Sequence, residues 1–69
     1  MKEYIGNGVA KRRAERNVTQ EELAHAVGVS RQTIVALERG HYTPSVLLAL
    51  KIAKFFRCSV EDVFCIKHK

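Results

Sequence analysis

The chain lacks most of the devices that stabilise very small proteins. Its 69 residues hold two cysteines, Cys58 and Cys65, and no secretion signal is recognisable, so a disulfide framework is not expected. A structural zinc site needs four ligands at set spacings, and His25, His41 and His68 are scattered. No metal or other cofactor is therefore expected. No apolar run approaches the roughly 18 residues of a membrane span, and no stretch is repeated or low in complexity. A soluble cytoplasmic protein is the expectation. Paired catalytic carboxylates, a Ser–His–Asp or Cys–His set and a phosphate-cradling loop are all missing, which argues against an enzyme. No small-molecule pocket is evident either. The length allows one domain, residues 1–69, and such a domain buries only about 60% of its unfolded surface. Helix packing and a partner subunit remain as sources of stability.

Acidic residues are also in short supply. Seven Asp and Glu face twelve Lys and Arg, giving a formal charge of +5 and a pI near 9.6. That balance suits a partner rich in phosphate, without specifying one.

What is present is a series of short helical patterns with clear starts. Residues 5–16 read as a first helix with Ile5, Val9 and Ala10 on one side, beginning near Asn7 or Gly8 because glycine weakens a helix interior. Asn17 suits the left-handed conformation that ends helices. Thr19 and Glu22 form a capping box, with Val18 placed to staple onto Leu23. Leu23, Ala24 and Val27 make the inner face of this second helix, and Gly28 ends it. Ser30 caps a third helix, residues 31–39, with Ile34, Leu37 and Glu38 turned inward and Gly40 closing it. His41, Tyr42 and Thr43 form a loop before Pro44. Ser45 caps a fourth helix over 46–56. Ser59, with Asp62 at the capping-box position, caps a short fifth. The alternation of Cys65, Ile66, Lys67 and His68 reads as a short strand or a frayed tail.

The segment TQEELAHAVGVSRQTIVALER, residues 19–39, carries the functional signal. Two short helices joined by Gly28-Val29-Ser30 make a helix-turn-helix, the unit that sets its second helix in the DNA major groove. Ile34 and Leu37 fix the inner face, leaving Arg31, Gln32 and Val35 outside. Arg pairs bidentately with guanine and Gln with adenine, and Val35 or Thr33 suits a thymine methyl. Ser30 and Gln20 stand at helix starts, where a phosphate docks on the positive dipole end. Arg39, His41 and Tyr42 follow the third helix as candidate phosphate grips. Lys11, Arg12 and Arg16 read equally well as phosphate contacts or as a solvated basic face. His25 has no ligand or acid at useful spacing and reads as structural.

The pattern RxERxVTQEELAxxVGVSRQTIxxLExGxYxPSxxLALKIAKFF…SVEDVF resembles the Cro/CI-type (XRE) helix-turn-helix regulators from about Arg13 to Phe64. Ala24, Gly28, Ile34 and Leu37 stand at the four positions that define the motif there. The resemblance implies an all-α, five-helix lambda-repressor-like domain, with room for a short C-terminal strand. It implies a homodimer on a palindromic operator in double-stranded DNA, usually for repression. It places Gln20, Arg31, Gln32 and Thr33 at DNA-contact positions, and Arg13 with Glu38 at an internal salt bridge. Four positions depart from the pattern. Arg12 replaces a usual leucine, so the first helix is expected to pack less well or to be rotated. Leu47 replaces a polar residue, leaving the fourth helix apolar nearly all round. Arg57 and Cys58 replace Gly and an aliphatic residue, with Cys58 still able to fill the core.

A helix apolar on all sides needs cover on two sides. A dimerisation region over about 46–68 follows, with Leu47, Phe64, Cys65 and Ile66 as interface candidates and strand pairing with a symmetry mate as the sharper form. A protein-interaction module such as an antitoxin is the competing reading, with Leu47 and the tail as its partner surface.

Overall fold

The computed structural model describes residues 2–68. Its elements run β1 (Glu3–Asn7), α1 (Val9–Glu15), α2 (Gln20–Val27), α3 (Arg31–Glu38), α4 (Val46–Phe55), α5 (Val60–Val63) and β2 (Phe64–His68). The helix starts lie where the caps demand. Thr19 Oγ1 accepts the Glu22 N–H at 3.0 Å, and the Glu22 carboxylate accepts the Thr19 N–H at 2.8 Å. Ser30 and Ser45 accept the N–H groups of Thr33 and Leu48, and Ser59 forms a second capping box with Asp62. Each such cap contributes about 1 kcal/mol. Gly28 and Gly40 take φ of 76° and 79°, the left-handed region that stops a helix. Asn17 does the same at φ 56°, and so does Arg57 at φ 59°, where a side chain costs roughly 1–2 kcal/mol.

The core forms between these helices. Val9, Leu23, Ile34, Leu37, Ile52 and Phe56 are almost wholly buried. Val18 and Cys58 pack on its margin, as their positions beside Thr19 and Ser59 require. Among the described residues, no helix is long and apolar enough to cross a membrane.

The N-terminus corrects the reading of residues 5–16 as one helix. Residues 3–7 are extended and pair antiparallel with residues 64–68, in the register Ile5 opposite Ile66 and Asn7 opposite Phe64. Gly6 and Gly8 resist helix here, and Asn7 Oδ1 accepts the Val9 N–H at 3.1 Å, so the helix itself begins at Val9, just past the expected start near Asn7 or Gly8. The Lys67 stem lies directly over Gly6, where any Cβ would collide with it. Residues 65–68 are accordingly a strand paired within the chain and not a frayed tail. Phe64 is a second correction. Only 8% exposed, it fills the protomer's own core and leaves the set of interface candidates.

Arg12, the departure from leucine, neither unpacks nor replaces the helix face that holds Val9. Its guanidinium donates to the Asp62 carbonyl at 3.3 Å, while the Gly8 N–H donates to the Val63 carbonyl at 2.8 Å. Both contacts fasten α1 to the end of α5.

Two outcomes follow from this geometry. Gly28→Ala should lower stability by about 1–2 kcal/mol in urea denaturation, since a side chain at φ 76° is strained. Hydrogen bonds from Ser59, and to a smaller degree the Arg12 charge, hold the Asp62 carboxyl below the usual carboxylate range. Such a depressed group stabilises the fold above its unfolded pKa of about 4, and loses that contribution as pH falls through the depressed value. Ser59→Ala removes the hydroxyl but keeps the larger contribution of the Ser59 backbone N–H, so it should move the Asp62 titration, followed by NMR, only part of the way up toward the ordinary value.

Candidate nucleic-acid interface

Helix α3 is positioned by one charged cluster. Arg13 on α1 donates through Nε to Glu38 Oε2 at 2.6 Å and through Nη2 to Glu38 Oε1 at 3.0 Å. Its third arm, Nη1, donates to the Val18 carbonyl at 2.9 Å. Gln20 Nε2, at the start of α2, donates to the same Oε1 at 3.0 Å. Three helices thus meet on one carboxylate. The side chains of Arg13 and Glu38 are only 17% and 7% exposed. The hydrogen bond to Glu38 holds the Arg13 pKa above its ordinary value against the opposing effect of burial, so the guanidinium stays charged. A buried pair of this kind contributes little net stability over an apolar one, but breaking it leaves a buried charge uncompensated.

With Leu37 buried and Glu38 held, the opposite side of α3 faces out. Arg31 and Gln32 are exposed in its first turn, and neither side chain is bonded to another described residue. Thr33 is half-buried, its hydroxyl 3.0 Å from that of Ser30, so both hydroxyls serve the cap. Val35 is half-buried on the same helix. Arg39, His41 and Tyr42 are exposed beyond it. Arg31 also borders a shallow hollow shared with Arg13, Thr19, Gln20 and Glu21, where the start of α2 opens to solvent. The structure thus brings Arg31 beside Gln20. It also commits the Gln20 amide nitrogen to Glu38, leaving its carbonyl and the helix end for an outside partner.

Structural duty separates the basic residues of α1. Arg16 donates through Nη2 to the Phe56 carbonyl at 2.8 Å and lies 5.6 Å from the centre of the Phe56 ring. Arg12 is bound to α5, which leaves Lys11 exposed without a side-chain partner among the described residues. Asn7 was not visible as a site residue in the sequence. Its Nδ2 donates to the Leu37 carbonyl at 2.9 Å, occupying a carbonyl at the end of α3 and tying β1 to that helix. The only local signal is an amide side chain just ahead of a helix start.

A capped helix pair on a five-helix bundle, the second helix exposed along its polar first turn, defines a helix-turn-helix DNA-binding domain of the lambda-repressor-like fold. The helix-turn-helix family profile matches residues 9–63, and the chain belongs to that family. A helix-turn-helix-type transcriptional regulator of Methanocaldococcus jannaschii is 62% identical over 52 residues, covering 75% of this chain and 79% of that one. The cryptic phage CTXphi transcriptional repressor RstR of Vibrio cholerae is 35% identical over 51 residues, 74% of this chain and 46% of RstR. The crystal structure of the transcriptional regulator VanUg superposes with a TM-score of 0.79 at 23% identity, over 100% of this chain and 92% of VanUg, which shows the shared fold. The protein is a DNA-binding helix-turn-helix transcriptional regulator and not an enzyme.

The Glu38 cluster yields a measurable expectation. Glu38→Gln should cost about 2–4 kcal/mol in urea denaturation, because Arg13 would keep its charge without its counter-ion. The paired change Arg13→Met with Glu38→Leu should recover most of that loss, since no buried charge then remains.

Proposed function

We propose that this regulator is a repressor that binds a palindromic operator as a homodimer and acts in the cytoplasm, where its free thiols Cys58 and Cys65 stay reduced. The observation that carries the reading is the state of Arg31 and Gln32. They stand exposed and unbonded in the first turn of a helix whose angle is set by the Arg13–Glu38–Gln20 cluster. Side chains left free on a rigid helix are suited to base edges. Arg31 reads guanine and Gln32 adenine, while Val35 or the Thr33 methyl meets a thymine methyl. Gln20 and the Ser30 end of α3 dock on phosphate, and Arg39, His41 and Tyr42 grip the phosphates that follow. Repression is supported by the likeness to RstR, named a transcriptional repressor. A protein seated on an operator also acts by occupancy alone.

One recognition helix reads few base pairs, so two are needed for useful specificity. Two-fold symmetry would set them about 34–36 Å apart in successive major grooves. The exposed apolar residues of α4, Leu47 among them, support a second subunit, and Cys65 and Ile66 on β2 remain interface candidates.

Selection of bound DNA from a random pool, with sedimentation of the free protein, tests the reading. A palindromic consensus and a dimer are expected. An unselected pool bound by a monomer would remove the operator and the dimer together. Arg31→Ala should reduce the preference for the selected site over a scrambled one by about 5- to 150-fold, the range of one bidentate pair. Lys11→Ala should weaken both sites alike and reduce the salt slope of log K by about 0.9 if it neutralises one phosphate.

A further inference from the structure

Asn7 closes strand β1, and its side chain is engaged at both ends. Oδ1 accepts the Val9 N–H at 3.1 Å, and Nδ2 donates to the Leu37 carbonyl at 2.9 Å. A backbone N–H can only donate and a carbonyl can only accept, so the two partners fix which way the amide points. The donor is itself held in place. Asn7 stands opposite the buried Phe64 across the sheet, and the N–H of Gly8 beside it donates to the Val63 carbonyl at 2.8 Å. At the other end of the bond, the Leu37 carbonyl lies in the last turn of α3, where helical N–H partners run out. Gly40 turns the chain away there, and the His41 N–H goes to the Ala36 carbonyl at 2.9 Å. Leu37 keeps the Gly40 N–H at 3.1 Å, and Asn7 takes its remaining lone pair. The next residue, Glu38, is held by Arg13 and Gln20. Helix α3 is thus held at two consecutive residues, at Leu37 through its backbone from β1 and at Glu38 through its side chain from α1 and α2.

We infer that Asn7 is a positioning residue for sequence preference: it sets the rotation of α3 about its own axis, and so acts on DNA through Arg31 and Gln32. The inference rests on the proposal that these two side chains read bases. The argument is one of tolerance. A helix with its side chains has a radius of about 5–6 Å, so a rotation of about 10° carries a side-chain tip by about 1 Å. A hydrogen bond to a base edge works over roughly 2.7–3.2 Å, and a bidentate pair must satisfy two at once. The Glu38 contacts reach α3 through a flexible side chain, whereas the Asn7 bond acts on the helix backbone directly. Phosphate contacts depend mainly on charge and tolerate a shift of this size. Loss of the Asn7 donor therefore falls on sequence preference before it falls on overall affinity. Its effect on folding is contained, because the Leu37 carbonyl still has the Gly40 N–H.

Fluorescence anisotropy on the full chain tests this with three DNAs: the selected operator, the same site changed at the base pair that Arg31→Ala ceases to distinguish, and a scrambled duplex. Asn7→Ser falls short of Leu37 but still offers an oxygen to the Val9 N–H. Asn7→Asp keeps that oxygen and puts a second one where the donor was. Each should lower the preference for the selected site over the changed one by about 5- to 10-fold, part of the range of one bidentate pair. For Asn7→Ser, affinity for scrambled DNA should stay within about twofold of the wild type, with the same salt slope. Ser59→Ala, which loosens the α5 cap and touches no bond to α3, controls for destabilisation and should leave the preference unchanged. In the free protein, the backbone amide resonances of Arg31 to Val35 should shift in both Asn7 variants and not in Ser59→Ala. If both Asn7 variants keep the wild-type preference, or Ser59→Ala loses as much, Asn7 is a structural tie only and the inference is overturned, although the operator stands. If the wild type prefers no sequence, Arg31 and Gln32 are not base readers, and the role of Asn7 falls with them.

Discussion

Everything that α3 can do depends on the carboxylate of Glu38. A helix of eight residues is too short to hold an orientation by its own hydrogen bonds. Apolar contacts from Ile34 and Leu37 bury one side. The bidentate pair with Arg13 adds direction, because two parallel N–H···O bonds fix angle as well as distance. Gln20 adds the start of α2 to the same point, and Arg13 adds the Val18 carbonyl just ahead of the Thr19 cap. The net stability of such a pair is small. Its effect is geometric, and base recognition tolerates little geometric error.

Around that cluster the molecule divides its side chains by duty. Polar groups that would suit DNA in isolation are already engaged where the fold requires them. Arg12 and Arg16 close the ends of neighbouring helices, and the Ser30 and Thr33 hydroxyls complete a cap. What remains unengaged is therefore informative. Arg31 and Gln32 are left on one surface, and Leu50, Lys54, Arg57 and Glu61 on another. The two surfaces share no residue.

Much of this was legible in the linear chain because it is local. A cap needs a hydroxyl and an amide three residues apart, so Thr19, Ser30, Ser45 and Ser59 could be read directly, as could the left-handed ends at Asn17, Gly28 and Gly40. The Arg13–Glu38 pair, 25 residues apart, was accessible only through family resemblance. The strand at residues 3–7 was not legible. Its hydrogen-bonding partners lie about sixty residues away, and Ile5 with Val9 fits a helical period when seen without them. Phe64 was misplaced for a related reason. It begins a strand whose later residues are exposed, and only the packing of α5 shows that this first residue turns into the core.

The sequence by itself determined where the second to fifth helices begin, which of their apolar residues face inward, and which family the chain resembles, since these follow from spacings within one or two helical turns. Tertiary structure alone decided that residues 3–7 and 64–68 pair as a sheet, that Arg12 and Arg16 bond to carbonyls of neighbouring helices, and that the Gln20 amide serves Glu38. The physical reason is that competition for a hydrogen-bond partner is settled by proximity in space. A list of residues shows which groups can bond, and the fold shows which are already bonded and which are free to reach a partner.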